Sequence, residues 1–96
     1  MRTDYEIAES LILATEEAYG VFDLTERNRQ RQTVRARQTA AYLIREMTDY
    51  SLPEVAKILN LGHHTTVMHS CDKVRKDPKR MALVPRLIKD SERFLG

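Results

Sequence analysis

The residues best suited to chemistry are a run of arginines and, further along the chain, a cluster of histidines and threonines. The net charge is only +2, but residues 27–45 contain six arginines and no acidic residue: Arg27, Arg29, Arg31, Arg35, Arg37 and Arg45. Residues 3–26 have the opposite charge, with seven acidic residues and no basic one. Like charges packed this closely repel each other unless an outside anion neutralises them, and guanidinium groups suit phosphates and base edges. The run therefore indicates a polyanion-binding surface, and a solvated helix face is the simpler alternative.

Residues 51–76 predict two short helices joined by a tight turn. Ser51 and Glu54 form an S-x-x-E capping box, and a proline such as Pro53 is tolerated in a first helical turn. A helix should therefore begin at this point. The sequence Asn-Leu-Gly-His that follows supplies the turn, with Gly62 available where a positive φ is needed. The arrangement predicts a helix-turn-helix.

The second of these helices is predicted to have one buried side and one polar side. Val67, Cys71 and Val74 recur at i, i+4 and i+7 and should face the core, while Thr65 and His69 point away from it. A helix with short donors and acceptors at an exposed N-terminal end fits the major groove of duplex DNA. Helix-turn-helix geometry also occurs in proteins that do not bind DNA, so the spacing alone leaves both interpretations open.

The rest of the chain also predicts helices, and hence an all-α bundle. A first helix should run from Thr3 or Asp4 to about Tyr19, with Gly20 ending it. A connector then leads to a helix over about 33–48, with a core side formed by Ala40, Leu43, Ile44 and Met47. On that helix, residues eight apart lie about 80° around the axis, so one solvent-facing side is expected to carry Arg37, Gln38 and Arg45.

The last segment predicts an additional C-terminal helix over about 78–95. Its apolar residues are interrupted by Pro85, which disfavours a helix interior. After Pro85, a last helix over about 86–95 should pack on the bundle. Its apolar surplus could instead contact a second copy of the chain or a protein partner, since small domains of this kind often act as dimers on paired half-sites.

Composition limits the chain to one small domain. With 96 residues, 42% of them hydrophobic, it has room for one core, and we predict a single domain over 1–96. The one cysteine, Cys71, excludes an internal disulfide. No apolar stretch approaches the length of a membrane span, and the start lacks a signal-peptide pattern, so we expect a cytoplasmic protein without a membrane partner.

Two motifs give the chain a family resemblance. The segment from Val34 to Glu54, V-R-A-R-Q-T-A-A-Y-L-I-R-E-M-T-D-Y-S-L-P-E, is followed from His64 by H-T-T-V-M-H-S-C. Together they resemble the C-terminal DNA-binding domain of the bacterial replication initiator DnaA, and the resemblance covers about residues 5–76. In that family the domain is a helical bundle whose helix-turn-helix binds short duplex elements called DnaA boxes.

The resemblance also implies roles for particular residues. It implies that Arg29 enters the minor groove, and that the DNA backbone is contacted by Arg37, Gln38, Leu52 and Pro53. It places three residues at the major groove, namely His64, Thr65 and Thr66. Arg45 and His69 match further positions at the DNA surface.

Two features depart from the family pattern. The family usually has Gly-Gly-Arg-Asp before the His-Thr-Thr motif, where this chain has Asn60-Leu61-Gly62-His63. His63 thus replaces an aspartate that reads a base, and we predict that it reads DNA with a donor that suits guanine O6 or N7; a solvated turn residue is the alternative. No G-x-x-x-x-G-K-[ST] motif occurs, so neither the family's ATPase nor a bound nucleotide is expected.

Other candidate sites are weaker. His63, His64, His69 and Cys71 carry metal-ligating atoms, but His64 and His69 lie about 140° apart on a helix and Cys71 should face the core, so no metal or cofactor is predicted. A core-facing thiol stays protonated and is a poor nucleophile. Packing roles are predicted for the methionines and tyrosines of the helices: Met47, Met68, Met81, Tyr42 and Tyr50.

These observations predict a non-enzymatic, sequence-specific binder of double-stranded DNA that acts as a regulator or an origin-binding accessory. The alternative from a different class is a protein-interaction adaptor that keeps the helix-turn-helix fold and binds a protein through its acidic first helix and apolar tail. The arginine run, Gln38 and the His64-Thr65-Thr66 motif distinguish the two, because an adaptor has no use for them.

Overall fold

Five α-helices make up the fold in the computed structural model, which describes residues 1–95. They are α1 (Asp4–Tyr19), α2 (Arg31–Met47), α3 (Leu52–Ile58), α4 (His64–Arg75) and α5 (Pro78–Ser91), and a short 3-10 turn follows at Glu92–Phe94. Residues 1–95 contain no strand. The predicted all-α class with a helix-turn-helix is therefore confirmed, with α3 and α4 as its two helices.

Local capping explains where the first and third helices begin. Thr3 and Glu6 form a capping box at the start of α1, and Gly20 ends that helix with a φ of 68°, a left-handed conformation that glycine adopts without steric cost. The predicted capping box of Ser51 and Glu54 is present at the start of α3. By contrast, α2 begins at Arg31 without a side-chain cap, two residues before the predicted start.

All five helices contribute to one hydrophobic core. Its largest fully buried side chains are Leu11, Leu24, Leu43, Ile44, Leu59 and Leu87. The prediction that Met47 and Met68 fill the core is wrong, because they are 40% and 48% exposed. Met81 packs partly buried against the core. The small residues that α2 buries, Ala36 and Ala40, let neighbouring helices approach closely.

The connector between α1 and α2 is held by the helices on either side of it. Leu24 is fully buried, and its backbone N–H donates to Glu16 Oε2 at 3.0 Å. Burial raises the pKa of that carboxyl, and the hydrogen bond from Leu24 partly opposes the shift. Leu24, buried and with its N–H hydrogen-bonded, fixes the middle of the connector. The position of the chain is therefore defined just before the arginines that follow.

The predicted interruption at Pro85 is wrong, because α5 continues through this residue. Proline removes one helical hydrogen bond, but α5 is anchored on both sides of it by buried Arg80 and Leu87. Tertiary packing therefore outweighs the local preference. Within residues 1–95, none of the helices is long and apolar enough to span a membrane.

Candidate nucleic-acid interface

The second helix of the helix-turn-helix has the two sides that its sequence predicts. Val67, Cys71 and Val74 are buried, which confirms the predicted core side of α4. The exposed side includes His64, Thr66 and His69, with Thr65 half-buried beside them. These side chains offer hydroxyl and imidazole groups along the first half of the helix, and all of them except Thr65 are exposed. Such groups can both donate hydrogen bonds to base edges and accept them.

His63 is the N-cap of α4, a role that the sequence-based argument did not foresee. Its Nδ1 accepts a hydrogen bond from the backbone N–H of Thr65 at 3.1 Å, and its ring stacks on that of His64 with the centroids 4.3 Å apart. An accepting Nδ1 carries no proton, so the neutral ring has its proton on Nε2. His63 therefore supports the helix with one nitrogen and presents a donor with the other.

The turn between α3 and α4 is shaped by an asparagine and not by the glycine. Asn60 has a φ of 57°, whereas Gly62 does not have a positive φ, so the predicted role of Gly62 is wrong. Asparagine tolerates the left-handed conformation better than most residues with a side chain. The Asn60 side chain also donates to the carbonyl of Thr25 at 3.1 Å. It thereby ties this turn to the connector in which Arg29 lies.

Arg37 does not share a solvent-facing side with Arg45 as predicted. It is half-buried, and it donates from Nε to the carbonyl of Leu24 at 2.7 Å and from Nη2 to the carbonyl of Glu26 at 2.5 Å. Burial lowers the pKa of its guanidinium, while the nearby Asp23 carboxylate opposes that shift. The group stays charged because an arginine does not lose its proton in proteins. Arg37 thus fixes the connector through Nε and Nη2.

The other arginines of the run fall into two groups. Arg35 is half-buried and lies 3.7 Å from Asp77. The remaining four are exposed, and within residues 1–95 none of them forms an ion pair: Arg27, Arg29, Arg31 and Arg45. Unpaired guanidinium groups in solvent raise the local positive potential and attract a polyanion.

A shallow surface depression brings together residues of three helices. Arg45 from α2 and Leu52 from α3 line it with Met68, Cys71, Asp72 and Arg75 from α4. Arg75 pairs with Asp72 at 3.0 Å and lies 6.0 Å from the centre of the Tyr42 ring. The sequence predicts packing for Met68 and no role for Arg75, yet both line this depression, because the docking of α4 decides the exposure of Met68.

Pro53 and Gln38 are two more of the predicted backbone contacts. Pro53 is exposed next to Leu52 in the first turn of α3. Gln38 is half-buried on α2, where its Oε1 accepts a hydrogen bond from Arg80 at 2.8 Å. The structure thus brings Arg45, Leu52 and Pro53 to one surface, while Arg29 lies in the connector beyond the start of α2.

Two alternative chemistries find no support in the described residues. No group of three or more potential metal ligands occurs in residues 1–95. Cys71 is 3% exposed, and burial raises the pKa of its thiol, although nearby Arg75 and Arg45 oppose the shift. A thiol with a raised pKa is a poor nucleophile. Tyr42 is buried, as the packing interpretation predicted.

Comparison with known proteins gives one family. A family model described as the bacterial DnaA protein helix-turn-helix matches residues 9–74. The chromosomal replication initiator protein DnaA of Lactobacillus delbrueckii subsp. bulgaricus is 41% identical over 73 residues, which cover 76% of this chain and 16% of that protein. The protein of the same name from Chloroflexus aggregans is 42% identical over 72 residues, which cover 73% of this chain and 15% of that protein. The chain therefore matches only about a sixth of the length of these relatives.

Proposed function

Because the chain belongs to the bacterial DnaA helix-turn-helix family, we propose that it binds double-stranded DNA in a sequence-dependent way. In this proposal the exposed side of α4 enters the major groove, and Arg29 reaches the adjacent minor groove. The observation that carries it is the position of four exposed, unpaired arginines in the connector and on α2, which precede the helix-turn-helix in the chain. Phosphate contacts from arginines position a protein on the duplex, and groups at the start of a recognition helix read the bases.

Each proposed contact follows from the chemistry of its side chain. Thr65 and Thr66 offer hydroxyls to base edges and methyl groups to thymine. The Nε2 donor of His63 suits an acceptor of guanine, so the preferred site should differ from a DnaA box at the base pair that faces this residue. Arg45 provides a phosphate contact at the depression that it shares with Leu52. His64 and His69 complete the proposed surface along α4.

The proposed role is non-enzymatic. The sequence contains no P-loop motif, and the family model that matches residues 9–74 describes a helix-turn-helix. We propose a regulator or an origin-binding accessory that occupies DNA sites without hydrolysing a nucleotide. The relatives are named as chromosomal replication initiators, which supports a site at a replication origin over one elsewhere.

The experiment that tests this proposal starts with selection of bound duplexes from a random pool. The affinity for the selected duplex is then measured by fluorescence anisotropy over a range of salt concentrations. We expect the logarithm of the association constant to fall by about 0.9 per neutralised phosphate for each log unit of salt. Arg45→Ala should reduce that slope by about 0.9, since it removes one phosphate contact.

The matched control for this experiment is Arg86→Ala. Arg86 is an exposed arginine of α5 that pairs weakly with Asp90 at 3.8 Å and lies outside the proposed surface. Its substitution should leave the affinity and the slope unchanged. Absence of binding at low salt, or a slope near zero, would contradict the proposal and favour the adaptor alternative. The burial of Leu87 in the core leaves less apolar surface on the tail for such an adaptor.

A further inference from the structure

A buried arginine of α5 reaches across to α2. Arg80 is only 7% exposed, and its guanidinium donates to two different residues. Its Nε donates to Asp77 Oδ2 at 3.0 Å, and its Nη1 donates to Gln38 Oε1 at 2.8 Å. A buried charge is stable only when it is paired and hydrogen-bonded. The positive charge of Arg80 is therefore balanced inside the protein and is not available to an outside phosphate.

Asp77 holds this arginine in place. It is the N-cap of α5, where its Oδ1 accepts from the backbone N–H groups of Lys79 and Arg80 at 3.1 and 3.4 Å. Its Oδ2 also lies 3.7 Å from Arg35 Nη2 on α2. Asp77 is thus fixed by the helix start, and the fork geometry of the guanidinium transmits that position to Gln38.

The contact with Arg80 determines which way the Gln38 amide points. A guanidinium has donors and no acceptor, so the amide atom that faces it must be the oxygen. The NH₂ group then lies on the opposite branch of the amide. No protein hydrogen bond engages this group within residues 1–95, and it is not among buried atoms without a partner, so the amide nitrogen is at least partly accessible to solvent.

Gln38 lies on the side of α2 that carries Arg45, one of the arginines of the proposed DNA surface. Gln38 and Arg45 are seven residues apart on α2, which puts them about 20° apart around the helix axis. Arg45 is exposed beside Leu52, at the depression described above. A donor pair on the same helix face suits a phosphate oxygen of the same backbone.

We propose that Arg80, held by Asp77, is a positioning residue for DNA binding: it fixes the Gln38 amide so that its NH₂ group donates to a DNA phosphate. This inference rests on the proposed function. Asp77 and Arg80 both lie beyond residue 74, where the match to the family model ends. In this proposal α5 acts on the DNA surface without touching DNA. A glutamine free to rotate loses side-chain entropy on binding, and pre-orienting it removes that cost.

The test is a double-mutant cycle on the selected duplex with Arg80→Met, Gln38→Ala and the double variant. Affinities are measured well below the unfolding transition and are expressed per folded molecule, with folding followed by circular dichroism. We expect Gln38→Ala to weaken binding by about tenfold or more, as loss of one hydrogen bond to a charged group does. Arg80→Met should weaken it by about two- to tenfold, the cost of ordering one side chain that is no longer held in place. The double variant should bind no more weakly than Gln38→Ala, because both changes remove the same contact.

Salt dependence separates positioning from direct contact. Arg80→Met should leave the salt slope unchanged, since the buried guanidinium neutralises no phosphate. Arg86→Met, on the exposed side of the same helix, is the matched control and should change neither affinity nor slope. A slope reduced by about 0.9, or losses that add up in the double variant, would overturn the proposal by showing that Arg80 meets DNA itself.

Two further measurements keep the test decisive if Arg80→Met folds poorly. Asp77→Asn preserves a helix cap but removes the charge that holds Arg80, so it should weaken binding in the wild-type background and not in Gln38→Ala. The side-chain amide of Gln38 should also be rigid in nuclear magnetic resonance relaxation of the free protein. A mobile amide, or wild-type affinity in Arg80→Met, would refute the positioning role while leaving DNA binding intact. Failure of the wild-type chain to bind any duplex would instead refute the proposed function.

Discussion

The two helices of the helix-turn-helix begin with similar caps but differ in the polar groups that remain free to contact a partner. At the start of α3, the N–H of Glu54 donates to Ser51 Oγ at 3.3 Å, and the N–H of Ser51 donates to Glu54 Oε1 at 2.9 Å. At the start of α4, His63 caps with Nδ1 and keeps an Nε2 donor for solvent. Groups that satisfy each other have little left for a partner. The difference is consistent with our proposal that α4 makes the specific contacts with DNA while α3 supports the motif.

The largest expected effect is a loss of stability from a substitution at the end of α3. Leu59, the C-cap of α3, is fully buried, so Leu59→Ala removes packed methyl groups and leaves a cavity. We expect the free energy of unfolding to fall by about 2–5 kcal/mol in urea denaturation. Affinity per folded molecule should not change. A specific loss of affinity with unaltered stability would reverse the roles assigned to the two helices.

The next effect belongs to α4. Thr65→Ala should weaken binding to the selected duplex by about 1–3 kcal/mol, because it removes a hydroxyl and a methyl group at the base edges. Binding to random duplex should change little, and so should stability, since Thr65 is not fully buried. Equal losses on selected and random DNA would assign Thr65 to the backbone and would weaken the contrast with α3.

The two caps themselves should differ in what they control. Ser51→Ala removes the side-chain cap of α3 and should cost about 1 kcal/mol of stability without altering the selected sequence. His63→Asp keeps a capping acceptor at the start of α4 but replaces the outward donor with an acceptor. It should therefore preserve stability and shift the preferred base, as measured by a second round of duplex selection. An unchanged preference would make His63 a structural cap alone.

The smallest expected effect is the acid dependence of the α3 cap. Hydrogen bonds from the Ser51 backbone and hydroxyl hold the pKa of Glu54 below its ordinary value of 4.5. Because the folded-state pKa is lowered, the stabilisation is fully present above about pH 4.5 and is lost as pH falls through the folded-state value. Glu54→Gln should retain the cap and flatten that part of the stability profile between pH 3 and 6. Identical wild-type and variant profiles would show that the carboxylate charge contributes nothing.

The helices were predictable because their signals are local. The first helix, the capping box at Ser51 and the buried residues of α4 were all predicted correctly, since capping and helical periodicity involve residues at most a few positions apart. Errors arose where a distant part of the fold decided the outcome. Met68 has the apolar character of a core residue, yet the docking of α4 leaves it 48% exposed. The contacts that we assign to individual residues on DNA stay predictions.

By itself, the sequence determined the helical class, the position of the helix-turn-helix and the concentration of arginines before it. Only the tertiary structure decided which arginines are available to an outside anion. The partners that occupy the other arginines can lie far along the chain. Arg37 is taken up by carbonyls 11 and 13 residues away, and Arg80 by Gln38 at a separation of 42 residues. Arg45 has the same chemistry and is free in the described structure. Side-chain type fixes what a group can bind, but packing decides whether the protein or an outside anion binds it.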